Sequence, residues 1–430
     1  MAADKEFHVE RIPYGKGEME IQIPKKNFVA ALMPQYKPGL KDEAGAVRKA
    51  LENPIGTKRL KEIARGRKNA VIVVNDITRP TATYKLLPPL IQELKEGGMK
   101  EDQIQFLVAT GTHRDNTKEE LAGMLGKEIM DRFKVVNHHC QDDEIMVDLG
   151  KTSGGIPVVI NRLFWEAELK ITTATIAPHQ GAGFSGGRKS VLPGIASLAT
   201  LKQHHGFSMR SDKPAMGWVE GNKFHENALE AAKMAKTDFI INTVQNHRKE
   251  ITQVVAGDVE KAWLEGVKAS REIFEVRVPH PVDIVITTPG GFPKDIDLYQ
   301  SQKSMASSEL VVKEGGTVIL LAECKDGVGA RGFYEWMSAA TCPQDVIDRF
   351  IREGYSIGAS KAWLFSRCLK RSDLIVVSKH IDVKTLKEMF TQRADTFDRA
   401  IQMALAKHGE NAQIILLKNG SDMIPRFEGR

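Results

Sequence analysis

Short apolar runs, each followed by a polar turn and an amphipathic stretch, recur along most of the chain. Runs that are apolar on both faces are typical of buried parallel strands, and the amphipathic stretches between them have the spacing of helices. The pattern therefore predicts an α/β protein with mostly parallel sheets built from βαβ units. The main predicted strands are residues 69–76, 104–110, 133–138, 169–176, 281–291 with its glycine turn, 317–322, 373–377 and 413–417.

The order of these elements predicts two βαβ-type domains. Residues 1–275 form the first, which begins with a β ribbon over residues 1–32, ends with a helix over residues 257–275 and carries the glycine loop and most histidines. Residues 276–430 form the second, with its last helix or strand able to return to the first. Residues 238–243 and 251–256 are expected to pair as strands before the closing helix.

Composition narrows the class of protein. The 430 residues, 42% of them hydrophobic, are enough for two ordinary cores. A net charge of +6 is mild, and no basic block is interleaved with aromatic residues, which argues against a nucleic-acid groove and favours small anionic ligands. The cysteines have no metal-binding spacing, so reduced thiols are expected at Cys140, Cys324, Cys342 and Cys368.

Hydropathy gives no sign of a membrane protein. No window approaches 18 uninterrupted apolar residues, and the first residues lack the apolar core of a secretory signal. A cytoplasmic protein without membrane contact is the expectation.

Polar residues follow the first two predicted strands at their carboxyl ends, where open α/β sheets bind ligands. Asp76 ends the strand over residues 69–76, Thr78 and Arg79 come just after it, and His113 follows the strand over residues 104–110. Arg79 has the planar fork that clamps a carboxylate or phosphate, and His113 is suitably placed for proton transfer. The alternative is that Asp76 caps the next helix and pairs with Arg79.

A glycine-rich loop at residues 178–194 is the most distinctive stretch of the sequence. It contains five glycines and carries His179, Arg188 and Lys189, between a predicted strand and a helix expected at residues 195–203. Such an arrangement can present backbone N–H groups and a helix N-terminus to an anion. It matches neither the Walker A nor the dinucleotide fingerprint, and a tight surface turn with a solvated Arg188-Lys189 pair is the alternative.

Two further groups of residues carry side chains suited to a functional site. His138 and His139, with the acidic residues 142–144 after them, have metal-ligating side chains, but their spacing favours an exposed loop. In the second predicted domain, residues 297–304 open a helix and contribute the donors Gln300 and Lys303.

The sequence resembles the lactate racemase family, the nickel-pincer 2-hydroxyacid racemases and epimerases, from about residue 10 to the end of the chain. The resemblance lies in four motifs in the family's order: Asp76-x-Thr78-Arg79-Pro80; Ala109-Thr110-Gly111-Thr112-His113-Arg114; Pro178-His179 with residues 183–189 and 192–194; and Tyr299-Gln300-x-x-Lys303.

The resemblance implies a site in an interdomain cleft that holds a nickel-pincer nucleotide, pyridinium-3-thioamide-5-thiocarboxylic acid mononucleotide with nickel. By match, Lys189 is joined to the cofactor and His205 is the metal ligand. The family has Asn-His where this chain has His204-His205, and the spacing to Lys189 favours His205. The other expected cofactor contacts are Ser185, Gly186, Gly187 and Arg188 around the phosphate, Asp76 aligning Arg79, and Trp363 as an apolar wall.

The implied reaction is racemisation or epimerisation of a small 2-hydroxy acid by reversible hydride transfer. His113 and His179 match the two catalytic acid/bases, one for each enantiomer. Substrate binding is implied for Arg79, Tyr299, Gln300 and Lys303. The expected partners are the substrate and the enzymes that make the cofactor.

Two alternatives stay open on the residues alone. One is a metal-dependent hydrolase or lyase, which is disfavoured because no carboxylate lies at metal-ligand spacing from His113, His179 or His205. The other is a non-catalytic nucleotide- or cofactor-binding protein, which needs the glycine loop but not two bases.

Overall fold

The computed structural model describes residues 6–79, 81–211, 214–356 and 358–427. Pro80 of the first motif lies outside these ranges, as do residues 1–5 of the first predicted domain and residues 428–430 of the second. The strands are β1 (Phe7–Tyr14), β2 (Gly17–Pro24), β3 (Phe28–Leu32), β4 (Ala70–Asn75), β5 (Ile104–Ala109), β6 (Lys134–Asn137), β7 (Met146–Lys151), β8 (Pro157–Asn161), β9 (Leu169–Thr175), β10 (Pro178–His179), β11 (Gly183–Phe184), β12 (Phe239–Gln245), β13 (Ile251–Gly257), β14 (Glu275–Val278), β15 (Val282–Thr287), β16 (Val312–Leu321), β17 (Ser372–Val377), β18 (Gln392–Ala394), β19 (Ile414–Leu417) and β20 (Ile424–Phe427).

Helices alternate with the strands along most of the chain. They are α1 (Glu43–Glu52), α2 (Leu60–Ala64), α3 (Thr83–Glu96), α4 (Lys118–Leu125), α5 (Lys127–Arg132), α6 (Arg162–Glu166), α7 (Leu198–His204), α8 (Lys223–Met234), α9 (Lys261–Phe274), α10 (Leu298–Ser301), α11 (Met305–Val311), α12 (Arg331–Ser338), α13 (Pro343–Glu353), α14 (Ala359–Leu369), α15 (Val383–Glu388) and α16 (Phe397–His408).

The chain divides into two compact units. The first unit comprises Tyr36–Arg210 and Gly217–Ile273. The second unit comprises Met1–Gln35, Ser211–Met216 and Phe274–Arg430.

The first unit is built on a six-stranded sheet in the order β13-β12-β9-β4-β5-β6. Only β13 is antiparallel to its neighbour. Ala70 of β4 pairs with both Ile104 of β5 and Leu169 of β9, so the carboxyl ends of these three strands meet at one edge. The loops after them, which contain Asp76, His113 and the glycine loop, therefore start at the same edge of the sheet.

The second unit is built on a six-stranded parallel sheet in the order β18-β17-β16-β15-β19-β3. Its core joins Ile284 and Ile286 of β15 to Leu416 of β19. The antiparallel β1–β2 ribbon contributes Ile21 and Ile23 to the same core. The α/β class with mostly parallel sheets is confirmed.

The division of the chain differs from the predicted ranges 1–275 and 276–430 at the N-terminal end and at the short segment Ser211–Met216. Residues up to Gln35 belong to the second unit, because β3 pairs with β19 and the ribbon packs on the core of that unit. The last strand, β20, pairs with β14 in the second unit rather than returning to the first. The alternation of polar and apolar residues over 1–32 predicted strands, but it did not indicate which sheet these strands join.

Two helices start later than their patterns suggested. Strand β13 continues to Gly257, so the helix expected from residue 257 begins at Lys261. The helix expected from residue 195 begins at Leu198, because the Ser197 side chain accepts from the N–H of Thr200 and caps it there.

Candidate active site

Asp76 holds His113 and Thr78 at the carboxyl ends of β4 and β5. Its Oδ2 lies 2.5 Å from Nδ1 of His113, and its Oδ1 accepts a hydrogen bond of 2.7 Å from the Thr78 hydroxyl. Asp76 is 2% exposed, whereas the His113 side chain is 44% exposed. Because a carboxylate only accepts, Nδ1 of His113 carries the proton and the neutral ring keeps its lone pair on Nε2.

The charge of Asp76 is maintained by these contacts. Burial alone raises its pKa, but the hydrogen bonds from His113 and Thr78 outweigh burial and hold the pKa below its ordinary value. The expected alignment of Arg79 by Asp76 stays a prediction, and the charge of Arg79 contributes to the lowered pKa of Asp76. The Arg79 guanidinium donates to the carbonyl and hydroxyl oxygens of Thr78, both at 3.3 Å, while His113 and Thr78 occupy the two oxygens of Asp76.

The glycine loop is a short hairpin followed by a turn of 3-10 helix. In the hairpin, Pro178 pairs with Phe184 and His179 pairs with Gly183, and the 3-10 turn spans Gly187–Ser190. Gly186 and Gly187 have φ values of +80° and +51°, which favour glycine. A Cβ at Gly187 would lie 2.9 Å from Cδ1 of Trp263, so this side of the loop has no room for a side chain.

Arg188 stabilises the loop from within. Its guanidinium is fully buried, lies 3.9 Å from the centre of the Trp263 ring and donates at 2.9–3.3 Å to four carbonyl oxygens. The acceptors are Ala182, Phe184, Ser185 and Gly186. Both terminal nitrogens of Arg188 are therefore directed at the loop's own carbonyl groups, and a contact between Arg188 and a phosphate stays a prediction.

Ser185 and the neighbouring amides are also engaged within the loop. The Ser185 hydroxyl donates to the carbonyls of Thr175 and Ala177 at 2.8 and 3.2 Å. The N–H of Gly187 donates to Oδ1 of Asn242 at 2.8 Å. These contacts fix the path of the loop and use donors that the phosphate-binding interpretation had assigned to a ligand.

His179 and Lys189 are hydrogen-bonded partners across the loop, with 3.1 Å between Nε2 and Nζ. Nδ1 of His179 accepts from the N–H groups of Gly181 and Ala182 at 3.1 and 3.0 Å. Burial, together with the positive charge of Arg79, lowers the pKa of His179 well below its ordinary value. Both side chains are partly exposed.

The Phe224 ring is the common neighbour of three predicted site residues. Nζ of Lys189 lies 5.4 Å from the ring centre, and the His205 and His179 rings lie 4.9 and 6.4 Å from it. The Arg210 guanidinium lies 5.5 Å from the same centre. The cofactor-linked lysine, the metal ligand and one catalytic base expected from the sequence therefore stand around one aromatic ring.

The structure distinguishes the two adjacent histidines. His204 is fully buried and its Nε2 lies 2.9 Å from the carbonyl oxygen of Phe224, so that nitrogen carries a proton directed into the protein. His205 is partly exposed, and its Nδ1 lies 3.2 Å from the carbonyl oxygen of Leu201. The Leu201 carbonyl places the His205 proton on Nδ1 and the lone pair on Nε2, which is the usual arrangement of a metal-binding imidazole.

The His113 loop is joined to the end of the glycine loop. The N–H of Gly111 donates to the carbonyl oxygen of Gly194 at 3.0 Å. The charge of Arg79 lowers the pKa of both His179 and Lys189, after burial and nearer charges. The first unit thus brings the loops after β4, β5 and β9 into one electrostatic environment.

The remaining predicted residues lie in the second unit. Gln300 and Lys303 are one turn apart, and Nζ of Lys303 donates to Oε1 of Gln300 at 2.6 Å. The N–H of Gln300 donates to the Asp297 side chain, which caps α10. Tyr299 makes an edge contact with Phe333, and Trp363 is 2% exposed against Phe350. Their roles toward a ligand stay predictions.

Within the described ranges, no group of three or more His, Cys, Asp or Glu side chains is placed to hold a metal ion. The expectation of an exposed loop at these two histidines is wrong for His138, which is 1% exposed and bonded to Ala196 and Asn161, whereas His139 is exposed. Among all residues that the structure describes, no helix is long and apolar enough to cross a membrane.

Sequence reasoning missed three residues that organise this site. Phe224 reads as an ordinary apolar residue of an amphipathic helix, and Arg210 as a solvated cation. Asn222 caps α8 and also donates from its amide to the carbonyl oxygen of Gly181 at 3.0 Å. The helix cap was readable from the sequence, but its second contact, forty-one residues back along the chain, was not.

Two family models match this chain. The lactate racemase N-terminal domain matches residues 14–217, and the lactate racemase C-terminal domain matches residues 278–424. Lactate racemase of Thermoanaerobacterium thermosaccharolyticum is 36% identical over 422 residues, covering 96% of this chain and 98% of the relative. Lactate racemase of Lactiplantibacillus plantarum is 36% identical over 420 residues with the same coverage.

Solved structures agree with the sequence relatives. The lactate racemase apoprotein of T. thermosaccharolyticum superposes with a TM-score of 0.91 at 35% identity, covering 97% of this chain and all of that one. A Thermotoga maritima protein with a TM-score of 0.60 and 18% identity, covering 90% of this chain and 98% of its own, shares the fold alone. The relatives are racemases, so the expectation of an isomerase is confirmed at the level of the family. The resemblance seen in the motifs is therefore confirmed, and the chain belongs to the lactate racemase family.

Proposed function

We propose that this chain is a racemase or epimerase of a small 2-hydroxy acid, with lactate as the first candidate substrate. The observation that carries the proposal is the placement of His179, Lys189 and His205 around Phe224. The loop of His113, with its Asp76 partner, is joined to the same glycine loop. The names of the relatives supply the reaction class.

The chemistry of the substrate explains why a hydride acceptor is needed. The C2 hydrogen of a 2-hydroxy acid is weakly acidic beside an ionised carboxylate, so its removal as a proton is difficult. When bound, a nickel-pincer nucleotide supplies an electron-poor centre that accepts this hydrogen together with its electron pair. The protein then has to bind the acid, move the hydroxyl proton and exclude water.

The donor set of the first unit fits such a cofactor. The amine of Lys189 lies beside a loop that leaves no space for side chains at Gly186 and Gly187. His205 keeps its Nε2 lone pair because Nδ1 faces a helix carbonyl. His205 would be the protein's ligand to nickel, and the remaining metal donors would come from the cofactor.

Proton transfer is assigned to Nε2 of His113 and Nε2 of His179. In its present hydrogen bonding, His113 is ready to accept a proton, and Asp76 stabilises the imidazolium that results. His179 differs, because Gly181 and Ala182 donate to Nδ1 and so keep its proton on Nε2. Nε2 of His179 can accept a proton only when the ring proton lies on Nδ1 instead. The N–H groups of Gly181 and Ala182 therefore have to release Nδ1 first.

Substrate binding is assigned to Arg79, whose guanidinium fits a carboxylate. In the second unit, Tyr299, Gln300 and Lys303 remain the predicted donors to substrate oxygens, and Trp363 remains the predicted apolar wall. The enzymes that make the nucleotide are the partners that this proposal requires.

The test is to produce the protein together with cofactor-making enzymes and to incubate it with enantiopure D- or L-lactate and a panel of other 2-hydroxy acids. Chiral chromatography should show each enantiomer of the true substrate converging on the equilibrium mixture. The cofactor-free protein and a His113→Ala variant are the controls and should be inactive. A nickel-loaded, folded protein that interconverts none of the panel would contradict the proposal.

A further inference from the structure

The hydrogen bonds around His179 determine where its proton lies. Nδ1 accepts from two backbone N–H groups, those of Gly181 and Ala182, at 3.1 and 3.0 Å. A protonated Nδ1 would direct its hydrogen at both donors, so neither the cation nor the Nδ1–H tautomer fits this position. The ring is therefore neutral with its proton on Nε2.

The position of that proton fixes the state of Lys189. Nε2 lies 3.1 Å from Nζ of Lys189. Since Nε2 donates, Nζ has to accept, and an ammonium group has no lone pair with which to accept. The hydrogen bond is complete only when Lys189 is an unprotonated amine.

The surroundings of Lys189 favour the same state. Burial and the positive charges of Arg188, Arg79 and Arg210 lower its pKa well below the ordinary value. Lys189 as a whole remains partly exposed.

We propose that, before any cofactor is attached, His179 holds Lys189 as an unprotonated, nucleophilic amine, which makes Lys189 a site for reaction with activated acyl or thioacyl groups. In such a reaction Nζ forms a bond to the acyl carbon, the bond from that carbon to the leaving group breaks, and one N–H proton passes to solvent. His179 would thus have a positioning role in the cofactor-free protein. The link to cofactor attachment rests on the function proposed above, whereas the state of the amine does not.

The test uses the cofactor-free protein and the acetyl ester of N-hydroxysuccinimide as the probe. A brief, substoichiometric pulse is applied over a series of pH values, and peptide mass spectrometry gives the acetylation rate of each lysine. The midpoint of the pH profile reports the pKa of an amine independently of how easily the probe reaches it. For Lys189 the midpoint should lie at lower pH than for the exposed Lys127 and Lys68.

Variants separate the role of His179 from burial. His179→Ala should move the Lys189 midpoint to higher pH and lower its neutral-pH rate about tenfold for each pH unit of that movement. His179→Gln keeps an N–H donor near Nζ and should stay closer to the unmodified protein. His139→Gln, at an exposed histidine of the first unit, should change nothing.

A Lys189 midpoint equal to that of the exposed lysines, or one unchanged by His179→Ala, would overturn the proposal. Neither outcome involves a substrate or loaded enzyme. Failure here therefore leaves the racemase proposal standing, and failure of racemisation leaves this measurement valid.

Discussion

Nδ1 of His113 lies 2.5 Å from Oδ2 of Asp76, at the edge where β4 and β5 end side by side. The carboxylate is buried and the imidazole is largely exposed, so the pair presents Nε2 of His113 outward with its lone pair. A fixed carboxylate behind a histidine holds one tautomer and stabilises the imidazolium formed on proton transfer.

Replacing the carboxylate by an amide should disable this pair. In Asp76→Asn, the amide N–H₂ can donate to Nδ1, which would move the His113 proton to Nε2 and remove the base. We expect kcat to fall about 100-fold or more, within the range that general acid–base catalysis contributes. Steady-state kinetics at matched nickel content measures this effect.

Asp115→Asn is the control, because this carboxylate is 54% exposed and faces His139. It should leave kcat within about twofold, since exposed ion pairs contribute little. An Asp76→Asn protein with undiminished kcat would show that Asp76 does not govern the His113 proton.

Buried His138 should make the protein less stable in mild acid. Burial lowers its pKa to about 4, while the same residue in the unfolded chain titrates near the reference value of 6.5. As the pH falls below 6.5, His138 binds a proton in the unfolded state but not in the folded state. The free energy of unfolding should therefore decrease, by up to about 3 kcal/mol at pH 4. Above pH 6.5 this residue has no effect.

Urea unfolding of the cofactor-free protein at several pH values measures this dependence. His138→Gln should reduce the loss of stability between pH 6.5 and pH 4, because the titrating group is gone. His139→Gln, at the exposed neighbour, should keep the original dependence. Identical pH profiles for all three proteins would contradict the assignment.

The internal arginine of the glycine loop should matter for stability rather than for ligand charge. Arg188→Met leaves four carbonyl oxygens without their donor and removes the contact with Trp263. We expect a loss of about 3 kcal/mol or more in unfolding free energy, since unsatisfied buried groups cost about 1–3 kcal/mol each.

Thermal and urea unfolding of the cofactor-free protein test this expectation. Arg114→Met removes an exposed arginine paired with Glu120 and should cost less than about 1 kcal/mol. Equal effects of the two substitutions would mean that Arg188 does not stabilise the loop.

Adding a methyl group to the loop should be costly at Gly187. Gly187→Ala puts a side chain at φ +51° and brings its Cβ to 2.9 Å from the Trp263 ring. About 1–3 kcal/mol of strain is expected, with slower acetylation of Lys189 because its position shifts. Gly123→Ala, in open space within α4, should instead stabilise by about 0.5–1 kcal/mol.

Unfolding and probe labelling of the two alanine variants give the comparison. A Gly187→Ala protein as stable as the original would show that the loop can move away from Trp263.

The sequence predicted the sheets well because buried parallel strands leave a strong local pattern. Ala70–Asn75 and Ile104–Ala109 are apolar runs whose ends also placed Asp76 and His113 at one edge. Long-range pairing left no such pattern. Residues 1–32 alternate as strands do, but the packing of Ile21 and Ile23 and the pairing of β3 with β19 show that they belong to the second unit.

Side-chain partners within the site were predicted less well, for the same reason. Arg188 is a basic residue in a glycine loop, and nothing local indicates that its guanidinium turns inward to Trp263, seventy-five residues away in the chain. Asp76 has a nearby cation in Arg79, yet it bonds to His113 from the next strand. Partners of this kind are set by the fold and not by neighbours in sequence.

In the reaction that we propose, the C2 hydrogen of the substrate leaves as hydride and returns to the same carbon. Racemisation of L-lactate by the nickel-loaded protein in D₂O, followed by mass spectrometry of the D-lactate formed, tests this claim most directly. The account predicts D-lactate that retains protium at C2, because the hydrogen never becomes a solvent-exchangeable proton. Deuterium at C2 of the product would contradict it and would indicate proton abstraction instead.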